Sequence, residues 1–203
     1  MRKVINSTYV TLDGVIENPQ DWPSLGSFSD EGNAVQTELL LACDAVLMGR
    51  RTYEAFAPAW ASRSGDPFSD RMNSISKYVV SSTVRDPEWN NSTVISGDLA
   101  TEVTRLKDLP GRDIVQYGFG VVAHTLASHG LLDELKLWVH PFLLRRGGPN
   151  DLIYREGTLV RFHLIDTMPL PSGTVILSYS FENADRDSRG RPHCLGARRD
   201  ALG

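Results

Sequence analysis

Residues 45–52 read Ala-Val-Leu-Met-Gly-Arg-Arg-Thr, and residues 114–121 read Ile-Val-Gln-Tyr-Gly-Phe-Gly-Val. Both stretches follow one plan: a short apolar run typical of a buried strand, then glycine, then the start of a helical pattern. Backbone N–H groups at a helix N-terminus attract phosphate, and arginine and threonine add donors. A single glycine between strand and helix is usually only a turn, so the repetition of the plan is what indicates a phosphate-binding edge.

Along the whole chain, the pattern of apolar residues predicts strands at 4–10, 45–48, 78–80, 93–95, 114–117 and 134–142, and helices at 29–43, 52–57, 98–109 and 121–128. A final hairpin is predicted from 159–166 and 174–181. Alternating strands and helices followed by a hairpin favour an α/β fold, with a single mixed, mostly parallel sheet, flanking helices and a C-terminal antiparallel hairpin. Ligands bind beyond the carboxyl ends of the strands in such sheets. We expect one domain over 1–182 and a disordered, charged tail over 183–203.

Composition excludes several classes of protein. The 203 residues are 41% hydrophobic and carry a net charge of −4, which argues against nucleic-acid binding. Cys43 and Cys194 fit no metal or disulfide framework. Without an apolar run of membrane length or a secretory signal, we expect a cytoplasmic protein with no membrane or metal partner.

Five motifs together resemble the dihydrofolate reductase-like superfamily, most closely the branch of the riboflavin-biosynthesis reductase C-terminal domain. They are Thr11-Leu12-Asp13-Gly14, Leu47-Met48-Gly49-Arg50-Arg51-Thr52-Tyr53-Glu54, Lys77-Tyr78-Val79-Val80-Ser81-Ser82-Thr83, Gly118-x-Gly120 and Gly130-Leu131-Leu132-Asp133-Glu134-Leu135. The resemblance implies NADPH as cofactor and an oxidoreductase such as a 5-amino-6-(5-phosphoribosylamino)uracil reductase in riboflavin biosynthesis.

The resemblance also assigns the cofactor contacts. They fall on Thr11, Asp13, Gly14, Gly49, Arg50, Arg51, Thr52, Ser81, Ser82, Gly118, Phe119, Gly120 and Val121. Asp13 has an alternative role, holding its own turn by an Asx-type bond. Phe119 stands where similar proteins usually carry a small residue, and its ring is expected to crowd the pyrophosphate path. Arg145 and Arg146 also differ from the residues usual in similar proteins. They either contact an acidic ligand or lie in a solvated loop.

On the substrate side, dihydrofolate reductases proper carry an acid on the first helix, and Asp30 and Glu31 are the nearest candidate catalytic residues here. The alternative is that these acids only interact favourably with the positive end of the helix dipole. Trp22 and Phe28 either stack on a flat substrate ring or close the loop over the core. Glu17 is a further candidate to face the pocket.

Three functions follow from these observations. The first is an NADPH-dependent reductase of a small heteroaromatic, pterin- or pyrimidine-like substrate. The second is a non-catalytic nucleotide-binding or regulatory module of the same fold. The third is a homodimer with a structural role, whose interface is the strand around Trp138 and the hairpin at 159–181.

Overall fold

The computed structural model describes residues 1–23, 30–157 and 159–181, so the predicted tail at 183–203 lies outside the described residues. Within these ranges the chain forms eight strands and five α-helices. The strands are β1 (Val4–Thr11), β2 (Cys43–Gly49), β3 (Ser76–Val80), β4 (Ser92–Ile95), β5 (Asp113–Tyr117), β6 (Glu134–His140), β7 (Phe162–Pro169) and β8 (Val175–Phe181). The helices are α1 (Asp30–Ala42), α2 (Arg50–Trp60), α3 (Pro67–Ser74), α4 (Leu99–Asp108) and α5 (Val121–Ser128).

All eight strands belong to one sheet in the order β4-β3-β2-β5-β1-β6-β8-β7. The first six are parallel to one another, whereas β8 is antiparallel to β6 and β7 is antiparallel to β8. The predicted mixed sheet with a C-terminal antiparallel hairpin is therefore confirmed. Every parallel strand ends at the same edge of the sheet, which brings the loops that follow β1, β2, β3, β5 and β6 together.

Alternating residues of the strands supply two hydrophobic cores, one on each face of the sheet. Val46 and Met48 of β2 pack with residues of α1, α2 and α3 on the first face. Ala45 and Leu47 of the same strand pack with residues of α4 and α5 on the second face. Because both faces are covered, β2 reads as a continuous apolar run rather than an alternating one. Among the described residues no helix has the length and apolar character to cross a bilayer.

One helix prediction needs correction, and one helix was missed. Helix α2 begins at Arg50, directly after the strand, and runs through Pro58 to Trp60, so Pro58 does not end it. Proline removes one helical hydrogen bond and its ring crowds the preceding turn, but packing of Phe56 and Trp60 against the first core holds the last turn. Helix α3 was not predicted. Its start is specified by Asp66, whose carboxylate accepts a hydrogen bond from Ser69 N, and by proline at the first helical position.

The strand around Trp138 forms as predicted, but Trp138 itself does not lie at a free surface. Trp138 is fully buried inside its own chain, packed with Leu170 and Ile176 and edge-on against Tyr9. It is therefore not available to an interface between copies. Strand β7, in contrast, is exposed along all eight residues, so the hairpin half of that prediction stays open.

Candidate functional site

The two strand–glycine–helix stretches, 45–52 and 114–121, meet in a crevice at the carboxyl edge of the sheet. Strands β2 and β5 are neighbours, yet α2 packs on the first face and α5 on the second. Their N-termini lie close together: a Cβ on Gly49 would lie 3.2 Å from Val122 Cγ2, and one on Gly118 would lie 3.3 Å from Thr52 Oγ1. Neighbouring strands whose helices leave on opposite faces form the usual ligand crevice of α/β sheets.

Both helices begin after glycine, which offers no side chain to their first N–H groups. Gly49 is the N-cap of α2 and Gly120 is the N-cap of α5. The first N–H groups of a helix have no partner within it, and the helix dipole makes this end electropositive. Two such ends side by side are suited to an anion with more than one phosphate.

Buried amides hold the loop in front of α5. Asn6 Nδ2 donates to Gly118 O at 3.0 Å and Gln116 Nε2 donates to the same oxygen at 2.7 Å. Asn6 also donates to Gln116 Oε1, and Thr8 Oγ1 donates to Asn6 Oδ1 at 2.8 Å. Gly118 itself has φ +81°, a conformation that glycine adopts at least cost. Sequence reasoning missed these positioning residues, although polar residues within otherwise apolar strands were a signal.

The two arginines at the start of α2 are exposed, at the same edge of the sheet as the crevice. Arg50 Nη1 lies 3.0 Å from both carboxylate oxygens of Glu54, and Arg51 Nη1 lies 3.4 Å from Glu17 Oε1. Ion pairs this exposed contribute little stability, so an incoming phosphate can replace the carboxylate at small cost. Glu17, predicted to face the pocket, faces the guanidinium of Arg51.

The turn after β3 uses one of its two predicted serines for its own structure. Ser81 is buried, and its Oγ accepts hydrogen bonds from Thr83 N at 3.1 Å and Val84 N at 3.0 Å. Ser82 is exposed at the same edge of the sheet. Contact of either serine with a 2′-phosphate stays a prediction, with Ser82 the more accessible of the two.

The loop after β1 is bound to the loop after β6. The Asp13 carboxylate accepts hydrogen bonds from Thr11 Oγ1, from Leu144 N at 3.1 Å and from Arg145 N at 2.8 Å. These bonds, first the one from Thr11, lower the pKa of Asp13 to about 2. Gly14, at φ +83°, accepts a hydrogen bond from Ile153 N at 2.8 Å. Asp13 thus joins the loop after β1 to the loop after β6, and its contact with a cofactor stays a prediction.

Phe119 does not crowd the crevice as expected. Its ring is buried in the core of the second face and lies edge-on to His124, with ring centroids 4.8 Å apart. The apolar ring is excluded from water by turning inward beneath α5. Only the backbone of residues 118–120 therefore borders the crevice.

Of the two aromatic residues predicted to contact substrate, Trp22 and Phe28, the structure describes Trp22. Trp22 is buried, with its indole N–H donating to Glu17 O at 3.1 Å and its ring edge-on to His140 and Phe142. It closes the loop over the core, and the stacking role is wrong. Phe28 lies outside the described residues.

On α1, Asp30 and Glu31 are both exposed on the first turn, and their catalytic role stays a prediction. A buried polar residue of α1, Gln36, hydrogen-bonds to β1, and sequence reasoning missed it. Its Nε2 donates to Tyr9 Oη at 2.9 Å and to Ser7 Oγ at 3.2 Å. Among the described residues no three His, Cys, Asp or Glu side chains form a group that could hold a metal.

Taken together, the sheet order and the crevice define a dihydrofolate reductase-like α/β protein. The RibD C-terminal domain family matches residues 2–176, and the chain belongs to this family. It is 29% identical over 190 residues to the uncharacterized protein YyaP of Bacillus subtilis (strain 168), a match that covers 88% of this chain and 94% of YyaP.

Solved structures share the fold at low sequence identity. A putative riboflavin biosynthesis protein from Shewanella sp. PV-4 superposes with a TM-score of 0.67 at 18% identity, covering 89% of this chain and 99% of the other. A pyrimidine reductase-like protein from Corynebacterium diphtheriae gives 0.62 at 12% identity over 90% and 92% of the two chains. A diaminohydroxyphosphoribosylaminopyrimidine deaminase/5-amino-6-(5-phosphoribosylamino)uracil reductase from Thermotoga maritima gives 0.63 at 15% identity, over 89% of this chain and 56% of that one.

Proposed function

We propose that the protein is an NADPH-dependent reductase that transfers a hydride to a small heteroaromatic, pyrimidine- or pterin-like substrate in the cytoplasm. The observation that carries the proposal is the close approach of the N-termini of α2 and α5. Membership of the RibD C-terminal domain family supports it. The names of the Corynebacterium and Thermotoga proteins favour a pyrimidine over a pterin.

The residues of the crevice fit such a cofactor. The N–H groups that follow Gly49 and Gly120 would hold the pyrophosphate, and Arg50 and Arg51 would add charge-assisted hydrogen bonds. A Cβ on Gly120 would meet nothing within 4 Å among the described residues, so a ligand can approach the backbone there. Bound NADPH would supply the hydride.

The rest of the chemistry is positioning and one proton. The amides of Asn6 and Gln116 fix the loop at Gly118, which orients the cofactor side of the crevice. We assign proton donation to Asp30 or Glu31. A positioned general acid contributes about 10²–10⁴-fold to rate.

In the first experiment the full chain is titrated with NADPH and, separately, with NADH. Binding is monitored by the fluorescence of the four tryptophans of the chain. We expect saturable NADPH binding, and weaker NADH binding if Ser82 and the arginines contact the 2′-phosphate. Arg51→Ala should weaken NADPH binding by at least about tenfold, since a hydrogen bond to a charged group is worth about 1.5–3 kcal/mol. Arg105→Ala, which removes an exposed arginine of α4, is the matched control and should bind normally. Failure to bind NADPH at millimolar concentration would refute the proposal.

Turnover separates the reductase from the non-catalytic module. Wild-type protein with NADPH is screened against pyrimidines and pterins for oxidation of the cofactor. We expect NADPH oxidation with at least one pyrimidine. The rate of this oxidation should be lower in Asp30→Asn or Glu31→Gln, while NADPH binding is retained. Binding without oxidation of NADPH by any compound of either class would favour the module.

A further inference from the structure

A loop from one side of the crevice reaches the helix on the other side. Helix α2 follows β2 and the loop at 12–18 follows β1, and the sheet order places β5 between these two strands. Two strands that flank a third are separated by about 10 Å. The ion pair between Glu17 and Arg51 joins the two sides. It therefore spans the carboxyl end of β5, the strand from which the loop at 118–120 leaves.

Backbone and ring contacts hold Glu17 in this place. On one side of it, Ile16 N donates to Asp151 O at 2.8 Å. On the other side, Glu17 O accepts a hydrogen bond from the indole of the buried Trp22 at 3.1 Å, and the Trp22 ring packs against residues at the end of β6. The backbone of Glu17 is therefore fixed without Arg51, whereas its side chain is 30% exposed and can change partner.

The Glu17 carboxylate competes with an anionic ligand for the same donor. Arg51 is the second residue of α2, at the electropositive end of the helix. Carboxylate and phosphate both bind a guanidinium by charge-assisted hydrogen bonds, and Arg51 Nη1 lies 3.4 Å from Glu17 Oε1. The partner of Arg50, in contrast, is Glu54 of the same helix. Exchange of a carboxylate for a phosphate at Arg50 frees no other element, whereas exchange at Arg51 separates two.

We propose that Glu17 is a built-in competitor for the cofactor, and that its ion pair with Arg51 couples cofactor binding to the loop after β1. A phosphate bound at Arg51 displaces the carboxylate and releases residues 17–22 from α2. The loop on the substrate side of the crevice is thereby loosened only when the cofactor side is occupied. This inference rests on the proposed function, because it takes NADPH to be the anion.

Replacement of Glu17 is expected to improve binding, a result that damage to the fold would not give. Glu17→Gln keeps the shape of the side chain and removes its charge, so NADPH binding at low salt should tighten about two- to fivefold, the range of an exposed ion pair. Glu38→Gln is the charge-matched control, because Glu38 is an exposed acid of α1, and it should bind NADPH as the wild-type chain does. In an Arg51→Ala background, the gain from Glu17→Gln should disappear.

Hydrogen exchange reports the release of the loop. The amides of Asp21 and Trp22 donate to Asn18 O and Pro19 O in the turn that follows Glu17. Inorganic pyrophosphate is the probe, because it supplies the phosphates without a nucleoside that could cover this turn. It should speed exchange at these two amides in the wild-type chain but not in Glu17→Gln, in which the loop is already released from α2.

The coupling and the proposed function fail in different ways. If the wild-type chain does not bind NADPH, both are refuted. If it binds NADPH and Glu17→Gln binds no tighter, or if the gain is matched by Glu38→Gln or persists with Arg51→Ala, only the coupling is overturned. Exchange at Asp21 and Trp22 that does not respond to pyrophosphate in the wild-type chain would likewise overturn the coupling alone.

Discussion

Lys77 of β3 is fully buried, which is rare for a lysine. Its Nζ donates to Ile75 O at 2.9 Å, Asn90 O at 2.8 Å and Asn73 O at 3.3 Å, and it lies 4.7 Å from the ring centre of Trp89. Burial lowers the pKa of Lys77 to about 8. The ammonium therefore persists at neutral pH, where its three donors satisfy three carbonyls around α3 and the turn before β4.

Lys77→Met keeps an unbranched side chain as far as the ε-carbon and removes the donors. Three partly buried carbonyls then lose a partner, and the free energy of unfolding should fall by about 2–3 kcal/mol. Urea denaturation at neutral pH measures this change. Lys3→Met is the control, because Lys3 pairs with Glu134 at an exposed position, and it should cost no more than about 1 kcal/mol. Equal losses in the two variants would mean that the carbonyls find other partners.

Among the secondary-structure elements and their connections, the loop between β5 and α5 contains two glycines with different roles. Gly118 has φ +81° and its added Cβ would press on Thr52 Oγ1, whereas Gly120 has φ −84° and open space around it. Gly118→Ala should therefore destabilise the protein by about 1–2 kcal/mol. Gly120→Ala should leave stability nearly unchanged and weaken NADPH binding, since the new methyl group stands where the ligand approaches.

Thermal unfolding and the fluorescence titration together separate these effects. The two variants differ by the same single methyl group, so each serves as the control for the other. Normal NADPH affinity in Gly120→Ala would show that the cofactor does not approach the N-terminus of α5. Normal stability in Gly118→Ala would show that the loop relaxes away from Thr52.

The same elements show which features a sequence reveals. Strand β2 and helix α5 were predictable because apolar periodicity and a terminal glycine are local signals. The continuation of α2 past Pro58 was not, because it depends on packing of Trp60 against Phe68 of α3, a contact between helices separated by a loop. Helix α3 carried local signals at Asp66 and Pro67, but its few apolar residues gave no clear period.

Within the site, the loops were predictable and the residues that hold them were not. Asn6 and Gln116 come from strands more than a hundred residues apart in the chain, and their pairing needs the register of β1 against β5. Trp22 was predicted either to stack on substrate or to close its loop. Burial against His140, at the end of the distant β6, decides for closure.

At the scale of the whole molecule, covering both faces of the sheet buries histidines that the unfolded chain would expose. His140 is buried among the rings of Trp22, Tyr9 and Phe142, and burial lowers its pKa to about 4. Burial also lowers the pKa of His124, beneath Phe119 and beside Ile153 O. In the unfolded chain both have a pKa of about 6.5.

Between these values the unfolded chain binds protons that the folded chain does not, so the free energy of unfolding must fall as the pH falls. The decrease begins near pH 6.5 and for His140 is complete below about pH 4, on the order of 3 kcal/mol. Asp13, with a pKa of about 2, adds its own loss only below the ordinary carboxyl range. Urea unfolding from neutral pH down to about pH 4 measures the slope, which His140→Gln should flatten by more than half, leaving the part due to His124. An unchanged slope in His140→Gln would mean that His140 becomes protonated in the folded protein without cost, and that the packing of Trp22 over β6 opens to water.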